Sequence, residues 1–264
     1  MENILVQIGE HIVSISSTSE KLMNWIKTHF QIVEGNHVAK IKSLNLSIRI
    51  EDNYGVPFVD YNVEICSDSD KITYRRADYL IDVNSTYNEA TISVYDELAL
   101  KHALHNLYSA FIVHNCWGLL IHSSCVDHQG KAYLFSGQSG AGKSTVAKLS
   151  APRPLLSDEA TIVKIDESEI KVFDSPFRSE LTTSYVHQSC HLSSIYLLIQ
   201  SLDVKALPVK KSDAMLGIMD KIFYWHHDSL ETAKLLDMCK QLVEKIPVYN
   251  MYFQKNDSFW EMIS

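Results

Sequence analysis

A chain of 264 residues has room for one large domain or two modest ones, and 46% hydrophobic content supports a buried core. A formal charge of −8 and a pI near 5.8, with no basic block to offset the acidic surface, argue against a general nucleic-acid binder. The five cysteines (Cys66, Cys116, Cys125, Cys190 and Cys239) are scattered, odd in number and lack any Cys-x-x-Cys pair, which suits a reducing cytosol better than a disulfide framework.

The opening Met1-Glu2-Asn3-Ile4-Leu5 carries no basic n-region and starts no long apolar run, so no signal peptide is expected. Residues 4–8 and 11–15 read as short strands joined by Gly9-Glu10, and Ser19 is placed to cap a helix through Leu22, Met23, Trp25 and Ile26. Alternation at 44–50 predicts a half-buried strand, with further strands at 59–65, 71–74, 79–83 and 91–95. These elements form an expected small mixed α/β domain over residues 1–95. Its edge strands offer an extended substrate peptide a place to dock. Arg75-Arg76 reads as a surface pair.

The second domain is expected over 96–264, opening with a strongly apolar helix at 96–114. The most apolar window, 111–121, is short and interrupted by His114 and Asn115, so it does not span a bilayer. Residues 119–126 and 132–135 read as a strand pair around the turn Asp127-His128-Gln129-Gly130. Strands follow at 160–165 and 170–173 as a hairpin, then 195–200. Helices follow at 211–223 and 230–243, with a last strand at 248–253. No internal repeat is present.

Between the strand ending at Phe135 and the helix starting near Thr145 lies Gly137-Gln138-Ser139-Gly140-Ala141-Gly142-Lys143-Ser144-Thr145. It satisfies the phosphate-loop pattern of Gly, four residues, then Gly-Lys-Ser. The glycines let consecutive backbone N–H groups curl around an anion, at a helix start that carries partial positive charge. Lys143 is expected to reach the β- and γ-phosphates of ATP, and the Ser144 hydroxyl to ligate Mg²⁺.

Phosphoryl transfer also needs acidic groups near the γ-phosphate. Ser157-Asp158-Glu159 is the candidate, placed where a short strand ends. Asp158 lies fifteen positions after Lys143, too close for the distant acidic strand of motor and transport ATPases. Two adjacent carboxylates allow two roles, one for the acceptor proton and one for Mg²⁺ or its waters. The other reading makes Asp158 a turn residue before the hairpin.

The order His122, strand, phosphate loop, Ser157-Asp158-Glu159 resembles the catalytic domain of the HPr kinase/phosphorylase family. The segment Asp174-Ser175-Pro176-Phe177-Arg178-Ser179-Glu180 is similar to that family's Gly-Thr-Pro-Phe/Trp-x-Gly-Glu, with Asp-Ser for Gly-Thr and Ser179 for the later Gly. Ile246-Pro247-Val248-Tyr249 and Asp257-Ser258-Phe259-Trp260 resemble its tail, while Ser123-Ser124-Cys125 departs mildly from the small residues usual after the histidine. The resemblance covers residues 95–264. It implies a phosphoenolpyruvate-carboxykinase-like P-loop core, a cytoplasmic enzyme and assembly into a homo-oligomer. Short members resemble lasso-peptide kinases, which phosphorylate a hydroxyl on a precursor peptide.

Carried over, Asp158 would be the general base, Glu159 a Mg²⁺ ligand with Ser144, and His122 a partner that tunes Asp158 or stabilises the transferring group. An imidazolium there would hold the carboxylate ionised. Arg178 either clamps phosphate or is a solvated loop arginine; Glu180 either touches metal or acceptor, or caps the next segment. The expected activity is ATP- and Mg²⁺-dependent phosphorylation of a Ser or Thr hydroxyl on a peptide or small protein, without nucleic acid or membrane. The alternatives are a kinase of the HPr carrier protein and a nucleotide-gated binding module. His187, Cys190 and His191 fall short of a tetrahedral metal site, and His226-His227-Asp228 reads as a polar helix connection.

Overall fold

The computed structural model describes residues 1–33, 45–179 and 189–263. It is a mixed α/β chain that divides into two compact units, Met1–His114 with Tyr224–Ser229, and Asn115–Phe223 with Leu230–Ser264.

The first unit contains β1 (Glu2–Ile8), β2 (His11–Ser17), α1 (Glu20–His29), β3 (Gln31–Ile32), β4 (Leu46–Glu51), β5 (Glu64–Ser67), β6 (Lys71–Arg75), β7 (Tyr79–Asn84), β8 (Glu89–Val94) and α2 (Glu97–His114). The strands form one sheet in the order β3-β1-β2-β4-β8-β7-β6-β5. Alternate residues of β4, β7 and β8 are buried, as expected of a sheet with one face packed. The helix α1 packs on β2, and α2 on β7 and β8.

Four expectations change here. The helix 96–114 belongs with the first unit rather than opening the second: every residue from Ala103 to Val113 is buried, and β7, β8 and α1 supply cover for that apolar surface. The strand expected at 59–65 starts only at Glu64, where pairing with β6 begins. Ser19 occupies the N-cap position of α1, but its hydroxyl donates to Asp52 instead of capping. Arg76 is buried, paired with Asp78 through two hydrogen bonds of 2.6 and 2.9 Å, and lies over the rings of Phe58 and Tyr79. A guanidinium that deep keeps its charge only because its donors are met. The connection at 226–228 is likewise anchored, His227 lying edge-on to Tyr74 at 5.8 Å.

The second unit contains β9 (Gly118–His128), β10 (Lys131–Ser136), α3 (Lys143–Leu149), β11 (Leu155–Ser157), β12 (Ala160–Ile165), β13 (Ile170–Phe173), β14 (Ser189–Gln200), β15 (Lys205–Pro208), α4 (Lys211–Met219), α5 (Ser229–Lys245), β16 (Val248–Phe253) and α6 (Phe259–Ile263). Five strands close on themselves, β9 to β12 to β13 to β14 to β10 and back to β9. The strand β14 also pairs in parallel with β16, which carries the edge strand β15. Phe135, Val146, Leu198, Phe253, Phe259 and Trp260 share one core that seats α3 against the strands. The helix expected to reach 223 ends at Met219, because residues 221–223 turn to meet β9: Lys221 accepts from the His122 N–H, and Phe223 donates to Leu120. Among the described residues no helix is long and apolar enough to cross a membrane.

Candidate functional site

The site is built where β10 ends. Its last residue, Ser136, is followed by the loop 137–142 and directly by α3. Two glycines have structural reasons to be glycine. Gly142 has φ +113°, and a Cβ there would meet Phe253 Cζ at 2.6 Å; at Gly137 a Cβ would lie 2.8 Å from the Ala141 Cβ. Gly142→Ala is therefore expected to disrupt the loop, costing at least about 1 kcal/mol from the left-handed backbone alone. Nucleotide titration beside a denaturant melt would show both losses.

Among the described residues, the backbone N–H groups of Gly142, Lys143, Ser144 and Thr145 have no protein acceptor. Consecutive unmet donors at a helix start form an anion cradle. Lys143 is buried, and its Nζ donates to the loop carbonyls of Gly137 at 3.1 Å and Gln138 at 3.3 Å. Burial lowers its pKa, the nearby Lys221 lowers it further, and Glu159 opposes both.

The acidic pair sits opposite. Asp158 and Glu159 lie between β11 and β12, and the two strands are tied to β9 by a cluster of buried hydroxyls. Ser157 Oγ lies 2.5 Å from Thr161 Oγ1, which accepts from Ser123 Oγ at 2.6 Å. The Glu159 carbonyl accepts from Ser123 N–H. These bonds fix the backbone that presents both carboxylates. Asp158 is 3% exposed, its Oδ1 accepting from the Ser179 N–H at 3.0 Å and its Oδ2 from Ser179 Oγ at 2.8 Å.

His122, Ser139, Gly140, Gly142, Lys143, Ser144, Thr145, Asp158, Glu159 and Ser179 line one cavity of about 350 Å³. Of the residues expected from sequence, Gly137 and Ala141 shape the loop without lining the cavity.

Of the two roles expected of His122, the pairing with Asp158 is the one the geometry does not bring about. Among the described residues its ring makes no hydrogen bond, and Phe223 packs 5.5 Å from it. Burial, with Lys143 and Lys221 nearby, lowers its pKa to about 4, so it is a neutral imidazole at pH 7 rather than an imidazolium bound to Asp158. The carboxylate is held by Ser179 instead. Arg178 meets neither of its expected roles: it does not line the cavity, and its Nη2 binds the carbonyls of Leu155 and Leu156 and the Asp174 carboxylate. It pins the 174–179 segment to β11. Glu180 and His187 lie outside the described residues, while Cys190 is buried and His191 pairs with Glu169.

Sequence reasoning passed over Ser179 and Lys221. The one signal for Ser179 was its place where the resembling family carries Gly. Lys221 has only 11% of its side chain exposed, and its Nζ pairs with Asp220 at 2.7 Å.

His122 and His102 of the first unit share a folded-state pKa near 4, against about 6.5 when unfolded; for His102 burial comes first, then Arg76 and Lys101. Below pH 6.5 the unfolded chain takes up protons that the folded chain refuses until about pH 4. Stability held above pH 6.5 is thus lost as the pH falls towards 4. Urea midpoints measured across this range should fall with acid, and His102→Gln/His122→Gln should flatten the slope. An unchanged slope in the double variant would count against the buried neutral state.

A family model described as SynChlorMet cassette protein ScmC matches residues 82–264, well over half the chain. The chain belongs to the ScmC family. The match takes in every residue of the cavity and begins within β7. No curated protein matches the chain.

Proposed function

We propose that this protein is an ATP- and Mg²⁺-dependent kinase of the HPr-kinase-like, phosphoenolpyruvate-carboxykinase-like P-loop fold. It phosphorylates a Ser or Thr hydroxyl of a peptide or small protein, with a ribosomal natural-product precursor of lasso type as the favoured acceptor. The observation that carries this reading is the convergence of the phosphate loop, Asp158, Glu159 and His122 on one cavity. A protein that only held nucleotide would have no use for a buried carboxylate lining the same cavity as the phosphate loop. The family's description as a cassette protein is in keeping with an acceptor supplied alongside.

The loop N–H groups and Lys143 would hold the β- and γ-phosphates, Lys143 exchanging the Gly137 and Gln138 carbonyls for phosphate oxygens. Asp158 would take the proton of the acceptor hydroxyl in line with the γ-phosphorus. Ser144 and Glu159 are hard oxygen donors on the same cavity, the donor chemistry Mg²⁺ requires. Among the described residues no group of three or more His, Cys, Asp or Glu forms a metal cage. Mg²⁺ held partly by substrate phosphates needs none, and when bound it neutralises charge on those phosphates. The neutral His122 would give an N–H to the transferring group, and nearby phosphate charge would raise its pKa.

The test is incubation of the purified protein with Mg²⁺-ATP and either a candidate precursor peptide or an HPr carrier protein, read by intact mass. A phosphate gained by the peptide supports the proposal, and one gained only by the carrier assigns the other kinase activity. ATP binding with no transfer to any hydroxyl leaves a nucleotide-gated binding module.

A further inference from the structure

We propose that the protein phosphorylates itself on Ser179, transferring the γ-phosphoryl group of ATP to its own Ser179 Oγ. The proposal rests on the kinase reading above and names a further acceptor for the same site.

Ser179 lines the cavity that holds the phosphate loop, and it is solvent-accessible. Its Oγ donates to Asp158 Oδ2 at 2.8 Å, the relation an acceptor hydroxyl must have to its general base. Its own N–H holds the other carboxylate oxygen at 3.0 Å, so base and hydroxyl are fixed as one unit. The segment presenting it is anchored: Arg178 binds the Leu155 and Leu156 carbonyls and Asp174, and Phe177 is 2% exposed. A hydroxyl held in place on its base has already lost most of the freedom that a bimolecular acceptor would give up. The other hydroxyls lining the cavity, those of Ser139, Ser144 and Thr145, sit on the phosphate loop and the start of α3, on the side that would hold the nucleotide. Ser123, Ser157 and Thr161 do not line it, and they are fully buried and bonded to one another.

In the reaction, Ser179 Oγ attacks the γ-phosphorus of ATP. The new Oγ–P bond forms as the bond from phosphorus to the β,γ-bridging oxygen breaks, and ADP leaves. The Ser179 proton passes to Asp158 Oδ2 and then to solvent. The product places about −1.5 to −2 charge beside Asp158 and Glu159. It fills the acceptor side of the cavity, so self-transfer competes with transfer to an external hydroxyl.

The full chain, incubated with Mg²⁺-ATP and no added acceptor, should gain one phosphate that peptide mapping places on Ser179, at a rate independent of protein concentration. Ser179→Ala should lose this incorporation while still binding nucleotide. Ser179→Thr, which keeps a hydroxyl, should carry the phosphate at the same position and serves if the alanine variant fails to fold. Transfer to an external peptide with Ser179 left unmodified would overturn the self-acceptor assignment and leave the kinase reading standing, with Ser179 only positioning Asp158. Phosphate found solely at another residue would overturn it equally. Failure to bind ATP at all would sink both.

Discussion

Asp158→Asn is expected to slow phosphoryl transfer about 10²- to 10⁴-fold, the usual range for loss of a positioned acid–base group, while leaving ATP affinity nearly unchanged. The substitution conserves volume at a site only 3% exposed, and the amide can still meet Ser179 by accepting from its N–H and donating to its Oγ. The carboxylate that receives the proton is lost, but the loop that holds the phosphates lies on separate elements, 137–142 and α3. Single-turnover transfer from labelled ATP, beside equilibrium nucleotide binding, separates the two effects. A variant that transfers at the wild-type rate would remove Asp158 from the mechanism. An equal loss of binding would make it a structural residue of the loop. The same variant should also stop labelling of Ser179, because both acceptors would use one base.

The parts of this site that were legible in the sequence are those whose chemistry is local. The phosphate loop needs its glycines at fixed spacing between a strand and a helix, and β10, the loop and α3 follow that order within nineteen residues. Asp158 and Glu159 were legible because they are adjacent and close behind the loop. What joins the remainder is long-range. Ser179 reaches Asp158 across 21 positions, and only a loop pinned by Arg178 brings it there. Lys221 enters because the chain leaves α4 four residues before the expected end and pairs with β9, a departure no helical periodicity records. The closed ring of strands depends on β14 pairing with β13, β10 and β16 at once, two of these in parallel, and alternation in one strand does not name its partners. The misplaced domain boundary has a similar origin. A helix with so little contrast between its faces shows that it will be buried but not which sheet will bury it.

Lys143→Met should weaken ATP binding about 10- to 100-fold and lower the transfer rate by a further 10²- to 10³-fold. Charged hydrogen bonds of this kind contribute about 1.5–3 kcal/mol, and charge aimed at the transition state contributes more than charge that only binds. Methionine keeps most of the buried stem, so the loss should be one of charge and donors rather than of packing. The carbonyls of Gly137 and Gln138 lose the Nζ donor, so part of any loss in stability belongs to these two hydrogen bonds. A second readout guards against misreading a collapsed loop as lost catalysis. Lys143 is the first of the two cations that depress His122, after burial itself. Removing it should therefore raise the His122 pKa from about 4, and burial and Lys221 should still hold it below the ordinary value near 6.5. Titration of the His122 ring by NMR checks this. A raised His122 pKa with lost activity places Lys143 beside the histidine and at the phosphates together. Lost activity with an unmoved pKa would mean that the lysine and histidine do not share the site.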